Sequence, residues 1–429
     1  MRKQVLLFLC FALLAILRLT AQTGTPSLLT VGVPEKNHFS AERLQRIDKL
    51  VREYIDSNWI TGAIALVAKD GHIVYHKAIG YDDKEKNRVL QKDAIWRIAS
   101  QTKAITSVGV MLLYEEGRFL LDDPISKYIP EFKKPVVLNT FNKADTSYTT
   151  LPAKKEISIR ELLTHTSGIG YAQIGSETMN AIYAKAGVVG GIGLKGGKLG
   201  DNIKKLGSLP LVHQPGEKWT YGLNTDVLGY LIEVVSGMSL DEFFRKRIFE
   251  PLGMKDTYFY LPKEKQSRLA MLHSDDQQKK AVNTAEIIQV NGEFYRDYPI
   301  LAGGSFYSGG GGLVSTAYDY ALFLQMLLNK GSYNGKQLLS RHSVDMMTMN
   351  QTGDLRQARF GLGFEIVTET TAAKTVLSPG TFSWGGMFAS SYWIDPKEKI
   401  VAQFVLQQYP FSHGEIAEKF KVAVYQALQ

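Results

Sequence analysis

Cysteine is almost absent from this chain of 429 residues: there is one, Cys10. That excludes a disulfide scaffold. With 45% hydrophobic and 21% charged residues, and 14 Pro beside 39 Gly, the composition also excludes a disordered chain and a collagen-like repeat. Basic residues outnumber acidic ones, 50 against 42, but the excess is spread along the chain. It includes no basic run of the kind that tracks a nucleic-acid backbone, so nucleic acid is not an expected partner. No internal unit of roughly 20–50 residues repeats.

Long apolar runs are equally scarce, and the one present lies at the N-terminus. Arg2 and Lys3 precede thirteen apolar residues, Val5 to Leu17, and Leu19-Thr20-Ala21 offers a small-residue cleavage site. Such a run is shorter than the roughly 20 residues a spanning helix needs. Residues 1–21 are therefore expected to be a signal peptide, with Cys10 inside it. Its removal takes three basic residues and leaves a charge of 47 − 42 = +5. No later segment approaches 18 uninterrupted apolar residues. The expectation is an exported, periplasmic, soluble protein without disulfides or stable membrane insertion, its fold held by its core alone.

What is present is periodicity. Ser40 precedes a helical pattern of Leu44, Ile47, Leu50, Val51 and Tyr54. Residues 62–69 and 72–79 flank Asp70-Gly71 and read as a hairpin. Near the C-terminus, Trp384 to Ile394 and Ile400 to Leu406 read as a second pair of strands, and residues 414–428 as an amphipathic helix. Residues 100–116, 158–165, 224–237 and 240–248 read as helices between long loops. The expected fold class is α/β of the α+β kind: an antiparallel sheet built from both chain ends and flanked by the terminal helices, with a mostly helical insertion.

Chemistry points first to Ser100-Gln101-Thr102-Lys103. A serine and a lysine three apart on a helix share a face, one turn apart. The hydroxyl needs something to take its proton, and a lysine does so only if desolvation or a nearby charge keeps it neutral. Tyr221 stands in a short loop just before a helix, within Pro215-Gly216-Glu217-Lys218-Trp219-Thr220-Tyr221-Gly222. Trp384-Gly385-Gly386-Met387 carries paired glycines that let a ligand approach backbone N–H groups.

In this order the three elements resemble the serine β-lactamase and penicillin-recognising family, nearest its class C-like and family VIII esterase branches. The likeness runs from about Asp93 to the C-terminus and includes Glu161-Leu162-Leu163-Thr164-His165-Thr166-Ser167-Gly168, Gly311-Gly312-Leu313-Val314-Ser315-Thr316 and Trp393-Ile394-Asp395-Pro396. It implies one catalytic domain over residues 22–429, with sheet portions at 22–99 and about 300–429 and a helical portion at about 100–299. It further implies Ser100 as nucleophile, Lys103 as its neighbouring base and Tyr221 as second base and proton donor. The backbone N–H groups of Ser100 and Met387 would form the oxyanion hole, and Trp384, Gly385, Gly386 and Asn224 would contact substrate. No cofactor or metal is implied, and the partner is a small-molecule acyl substrate.

Two departures bear on that substrate. The second motif usually reads Tyr-x-Asn or Ser-x-Asn, but position 223 is Leu and Asn224 comes one residue late, so its side chain is expected to point elsewhere unless the loop bulges. The third motif usually begins with Lys, and Trp384 stands there. Loss of an amide and a cation favours neutral acyl esters. β-Lactams, D-Ala-D-Ala or other D-amino-acid peptides, acyl transfer, and a non-catalytic binding role are the alternatives.

Other patterns lead nowhere. There is no Gly-x-Ser-x-Gly and no His-Glu-x-x-His. Gly191-Ile192-Gly193-Leu194-Lys195-Gly196 matches a dinucleotide fingerprint but follows no buried strand, and reads as a loop flanking the pocket. His72 and His76 are roughly 13 Å apart on a strand, too far to share a metal. His165 reads as a fold-supporting residue at a helix end.

Overall fold

The computed structural model describes residues 28–289, 293–355 and 359–429. The leader expected over residues 1–21 lies outside them.

Helix α1 (Ala41–Asp56) starts at Ser40, whose hydroxyl accepts from the Arg43 N–H as the apolar spacing and cap residue predict. Strands β1 (Gly62–Lys69) and β2 (His72–Asp83) follow, joined through Asp70 and Gly71 at φ 51° and 81°, the left-handed pair a two-residue hairpin turn requires. The central helix α2 (Thr102–Glu115) is buried on nearly every side. Helix α3 (Ile159–Leu163) opens with a capping box between Ser158 and Glu161. Helix α4 (Asn224–Ser236) packs on α2, and α5 (Ala317–Leu328) packs on the sheet. The chain closes with β3 (Phe382–Gly386), β4 (Ser390–Asp395), β5 (Ile400–Val405) and α6 (Glu415–Tyr425).

The sheet runs β2–β1–β5–β4–β3 at its centre, antiparallel throughout, so both chain ends meet where β1 pairs with β5. Alternation along these strands feeds two cores. Ala63, Ala65 and Val67 point with Phe404 and Trp393 to the side covered by α1 and α6. Ile64, Leu66 and Ala68 point with Val401 and Tyr392 to the helical portion. Both faces being covered explains why β1 is apolar on successive residues.

Two expectations are corrected. Trp384 to Ile394 is two strands, because Met387–Ala389 turns the chain and Ala389 takes φ 60°. The middle of the chain is less purely helical than its pattern suggests. It holds short hairpins at Val136–Phe141 with Tyr148–Pro152, at His273–Asp275 with Ala281–Asn283, and at Ile287–Gln289 with Glu293–Tyr295.

Candidate active site

Ser100 stands in a 3-10 turn, Ala99–Gln101, that leads into α2. Ala99 before it takes φ 44°, a left-handed conformation costly for a residue with a Cβ. Thr102, Lys103 and Thr106 share one face of α2, and all three grip the glycine-rich loop 309–313. Thr102 Oγ1 accepts from the Leu313 N–H at 3.2 Å, Lys103 Nζ donates to the Gly310 carbonyl at 2.6 Å, and Thr106 Oγ1 donates to the Gly309 carbonyl at 2.7 Å.

The three residues drawn from two motifs meet. Tyr221 Oη lies 2.7 Å from Ser100 Oγ, and Lys103 Nζ lies 3.4 Å from the same oxygen. Lys103 also donates to Tyr171 Oη at 3.1 Å and stands 4.8 Å from the centre of the Tyr221 ring. Its three amine protons thus face a carbonyl and two hydroxyls, the arrangement an ammonium needs. Burial alone would depress the lysine, but Tyr171, Tyr221 and Asp226 outweigh it and hold Lys103 above the usual lysine range. This differs from the neutral amine the sequence reading required, because that reading did not see the acidic groups around it. Burial pushes the Tyr171 phenol up, with Lys103 opposing.

Strand β3 closes the site from the sheet side. A Cβ on Gly386 would lie 2.6 Å from the carbonyl of Ile98, so only glycine lets this strand rest on the turn that carries Ser100. Met387, the residue after Gly386, lines with Ser100 a cavity of about 520 Å³. Trp384, Gly385 and Gly386 line it too, with Tyr171, Ile174, Ile192, Tyr221, Phe294 and Tyr409. Trp384 packs against Tyr221 at 5.5 Å and edge-on to Phe360 at 5.4 Å. Ile192 belongs to the glycine loop expected to flank the pocket.

Asn224 does not reach the cavity, which corrects its assignment to substrate contact. It is the first residue of α4 and fully buried, accepting from Ser167 Oγ and holding Nδ1 of His165 at 2.9 Å. His165 in turn packs 5.1 Å from the Tyr221 ring, a supporting position. Leu223 is buried in the core and offers the cavity nothing polar. Sequence reasoning missed Tyr171, which lies 50 positions before Tyr221 with no spacing to mark it. It also gave Asp226 no role. Among the described residues, no cluster of three or more His, Cys, Asp or Glu could hold a metal, and no helix is long and apolar enough to cross a membrane.

A serine hydroxyl between a lysine and a tyrosine, at the head of a buried helix and roofed by a strand of a sheet built from both chain ends, defines the β-lactamase-like class. The chain belongs to the Beta-lactamase family, whose profile matches residues 47–425. It is 30% identical over 368 residues to esterase EstB of Burkholderia gladioli, covering 83% of this chain and 88% of that one. A protein of Escherichia coli O157:H7, provisionally named a D-alanyl-D-alanine carboxypeptidase, is 30% identical over 413 residues, covering 92% of this chain and 88% of the other. Among solved structures, EstCE1, titled a hydrolase with promiscuous acyltransferase activity, superposes with a TM-score of 0.76 at 25% identity, covering 90% of this chain and 99% of that one. The protein is a hydrolase of the β-lactamase fold.

Proposed function

We propose that this hydrolase forms an acyl-enzyme on Ser100 and turns over neutral carboxylic esters. The observation that carries the reading is Ser100 Oγ at the cavity surface, within 2.7 Å of Tyr221 Oη and 3.4 Å of Lys103 Nζ. Ser100 Oγ attacks the ester carbonyl carbon while its proton passes to Tyr221 Oη. The Lys103 ammonium, 4.8 Å from the centre of the Tyr221 ring, favours the negative charge that Tyr221 must carry to act as this base. Negative charge gathers on the carbonyl oxygen and is met by the N–H groups of Ser100 and Met387. The C–O bond then breaks, and Tyr221 returns the proton to the leaving alkoxide. Water then gives a proton to Tyr221 as its oxygen attacks the acyl carbon; the bond to Ser100 Oγ breaks, and Tyr221 returns the proton to that oxygen, freeing the acid.

Ester rather than β-lactam preference is supported by Trp384, which forms an aromatic wall with Tyr221 where the family's lysine would meet a carboxylate. The name of the EstB relative agrees with it. A chromogenic ester, a chromogenic cephalosporin and a D-Ala-D-Ala peptide, each with wild type and Ser100→Ala, test the reading. Ester turnover should exceed cephalosporin turnover, and Ser100→Ala should lose about 10³-fold or more in kcat. Mass spectrometry should find an acyl adduct on wild type alone. Activity retained by Ser100→Ala rules out this nucleophile, and faster cephalosporin turnover rules out the substrate preference. Residues 1–21 are read as a leader directing the protein to the periplasm, which the intact mass of protein recovered from a periplasmic extract tests.

A further inference from the structure

Asp226 stands in the first turn of α4, five residues after Tyr221, and only 1% of it is exposed. One carboxylate oxygen accepts from Ser308 Oγ at 2.6 Å and from the Gly310 N–H at 3.2 Å. The other is buried without a hydrogen-bond partner among the described residues. Gly310 is thus held at both ends, its N–H by Asp226 and its carbonyl by Lys103 at 2.6 Å. Gly310 and one further glycine mark how tightly the chain closes on this carboxylate. A Cβ on Gly310 would lie 2.2 Å from Asp226 Oδ2, and one on Gly191 would lie 3.1 Å from Oδ1 and 2.7 Å from Ser308 Oγ.

A buried carboxylate with an unfilled oxygen is costly unless an opposite charge compensates it. Burial pushes the Asp226 carboxyl up, and Lys103 is the charge that opposes this. The titratable groups facing Lys103 are Tyr171, Tyr221 and Asp226. Of these, Asp226 is the carboxylic acid, and it is tied to the lysine through Gly310 as Tyr221 is through Ser100.

We infer that Asp226 is a positioning residue: with Ser308 it fixes Gly310, whose carbonyl receives Lys103, and its negative charge helps keep Lys103 as the ammonium that faces Ser100 and Tyr221. The inference rests on the proposed roles of those three residues. It does not place Asp226 in contact with substrate, so its loss should act on kcat and on the ionisation of the lysine rather than on binding.

The test is the pH dependence of ester turnover in wild type, Asp226→Asn and Ser308→Ala, with Ser100→Ala as control. Asp226→Asn should lose about tenfold or more in kcat, with KM within about twofold. The alkaline limb of its kcat profile should move down by about one pH unit or more, because the ammonium has lost its counter-charge. A purely structural role would change the melting temperature without moving that limb. A folded Asp226→Asn protein with wild-type kcat and an unmoved limb overturns the inference. If Asp226→Asn cannot be recovered folded, Ser308→Ala decides: a severalfold fall in kcat at unchanged KM supports it, and wild-type kcat overturns it. Turnover surviving in Ser100→Ala sinks the underlying mechanism instead, which keeps the two failures apart.

Discussion

Tyr221 uses its oxygen and its ring for different purposes. The oxygen reaches Ser100, while the ring stacks on Trp219 at 6.0 Å and packs against Trp384, His165 and Tyr171. Tyr221→Phe keeps the packing and removes the hydroxyl. Its kcat is expected to fall by about 10²–10⁴-fold in an ester assay, as loss of an acid–base group does. Its stability in a denaturant melt should stay within about 1 kcal/mol of wild type. At this scale the sequence was partly legible. Ser100 and Lys103 announce themselves because their spacing puts them on one helical face, and Tyr221 because its loop and following helix form a recognisable phrase. Tyr171 and the Gly310 carbonyl carry no such mark, since only tertiary packing brings them to Lys103. Asn224 points away from the cavity, as its one-residue delay implies and against its assignment to substrate contact, because helix α4 begins at that residue and turns its amide inward to His165 and Ser167.

The junction of β3 with the turn before α2 is where two parts of the chain become one site. Gly386→Val would press a branched side chain against the Ile98 carbonyl, 2.6 Å from the Cβ position, and against Ser390 Oγ at the same distance. The expected result is a loss of about 1–3 kcal/mol in a urea melt, together with a lower kcat, because the Met387 N–H proposed for the oxyanion hole moves with the strand. Gly414→Ala serves as control: among the described residues nothing lies within 4 Å of its Cβ position, its φ is −61°, and the melt should be unchanged. Elements of this size were legible wherever a period and a stop signal agreed. Asp70-Gly71 marks the first hairpin, and Ser40 marks the start of the first helix. The turn at Met387–Ala389 was invisible because it contains no glycine, proline or asparagine, and apolar residues continue through it.

Across the whole molecule, stability responds to pH through groups far from the cavity. Burial, with the charge of Asp256 beside it, pushes the carboxyl of Asp319 up to about 6. An unfolded aspartic acid titrates near 3.9. Between those values the folded chain holds a proton that the unfolded chain has released. Stability from this group is therefore greatest below about pH 4, falls as pH rises to about 6, and is flat above. Asp319→Asn should lack that slope. The stability difference between variant and wild type, from urea melts at pH 4 and pH 7, should shift toward the variant by up to about 3 kcal/mol. If the difference is the same at both pH values, the carboxyl does not titrate in this window. The sheet made from both chain ends was legible from alternating apolar residues, whereas the hairpins of the middle were not, their strands being short and partly exposed. The same pairing sets a timetable. Lys69 pairs with Ile400, 331 positions later (400 − 69), so during synthesis at about 5–20 residues per second the first hairpin waits roughly 15–70 seconds for its neighbour. Through that interval the hydrogen-bonding edge of β1 stands open, and any strand that reaches it first is a competitor for the place of β5.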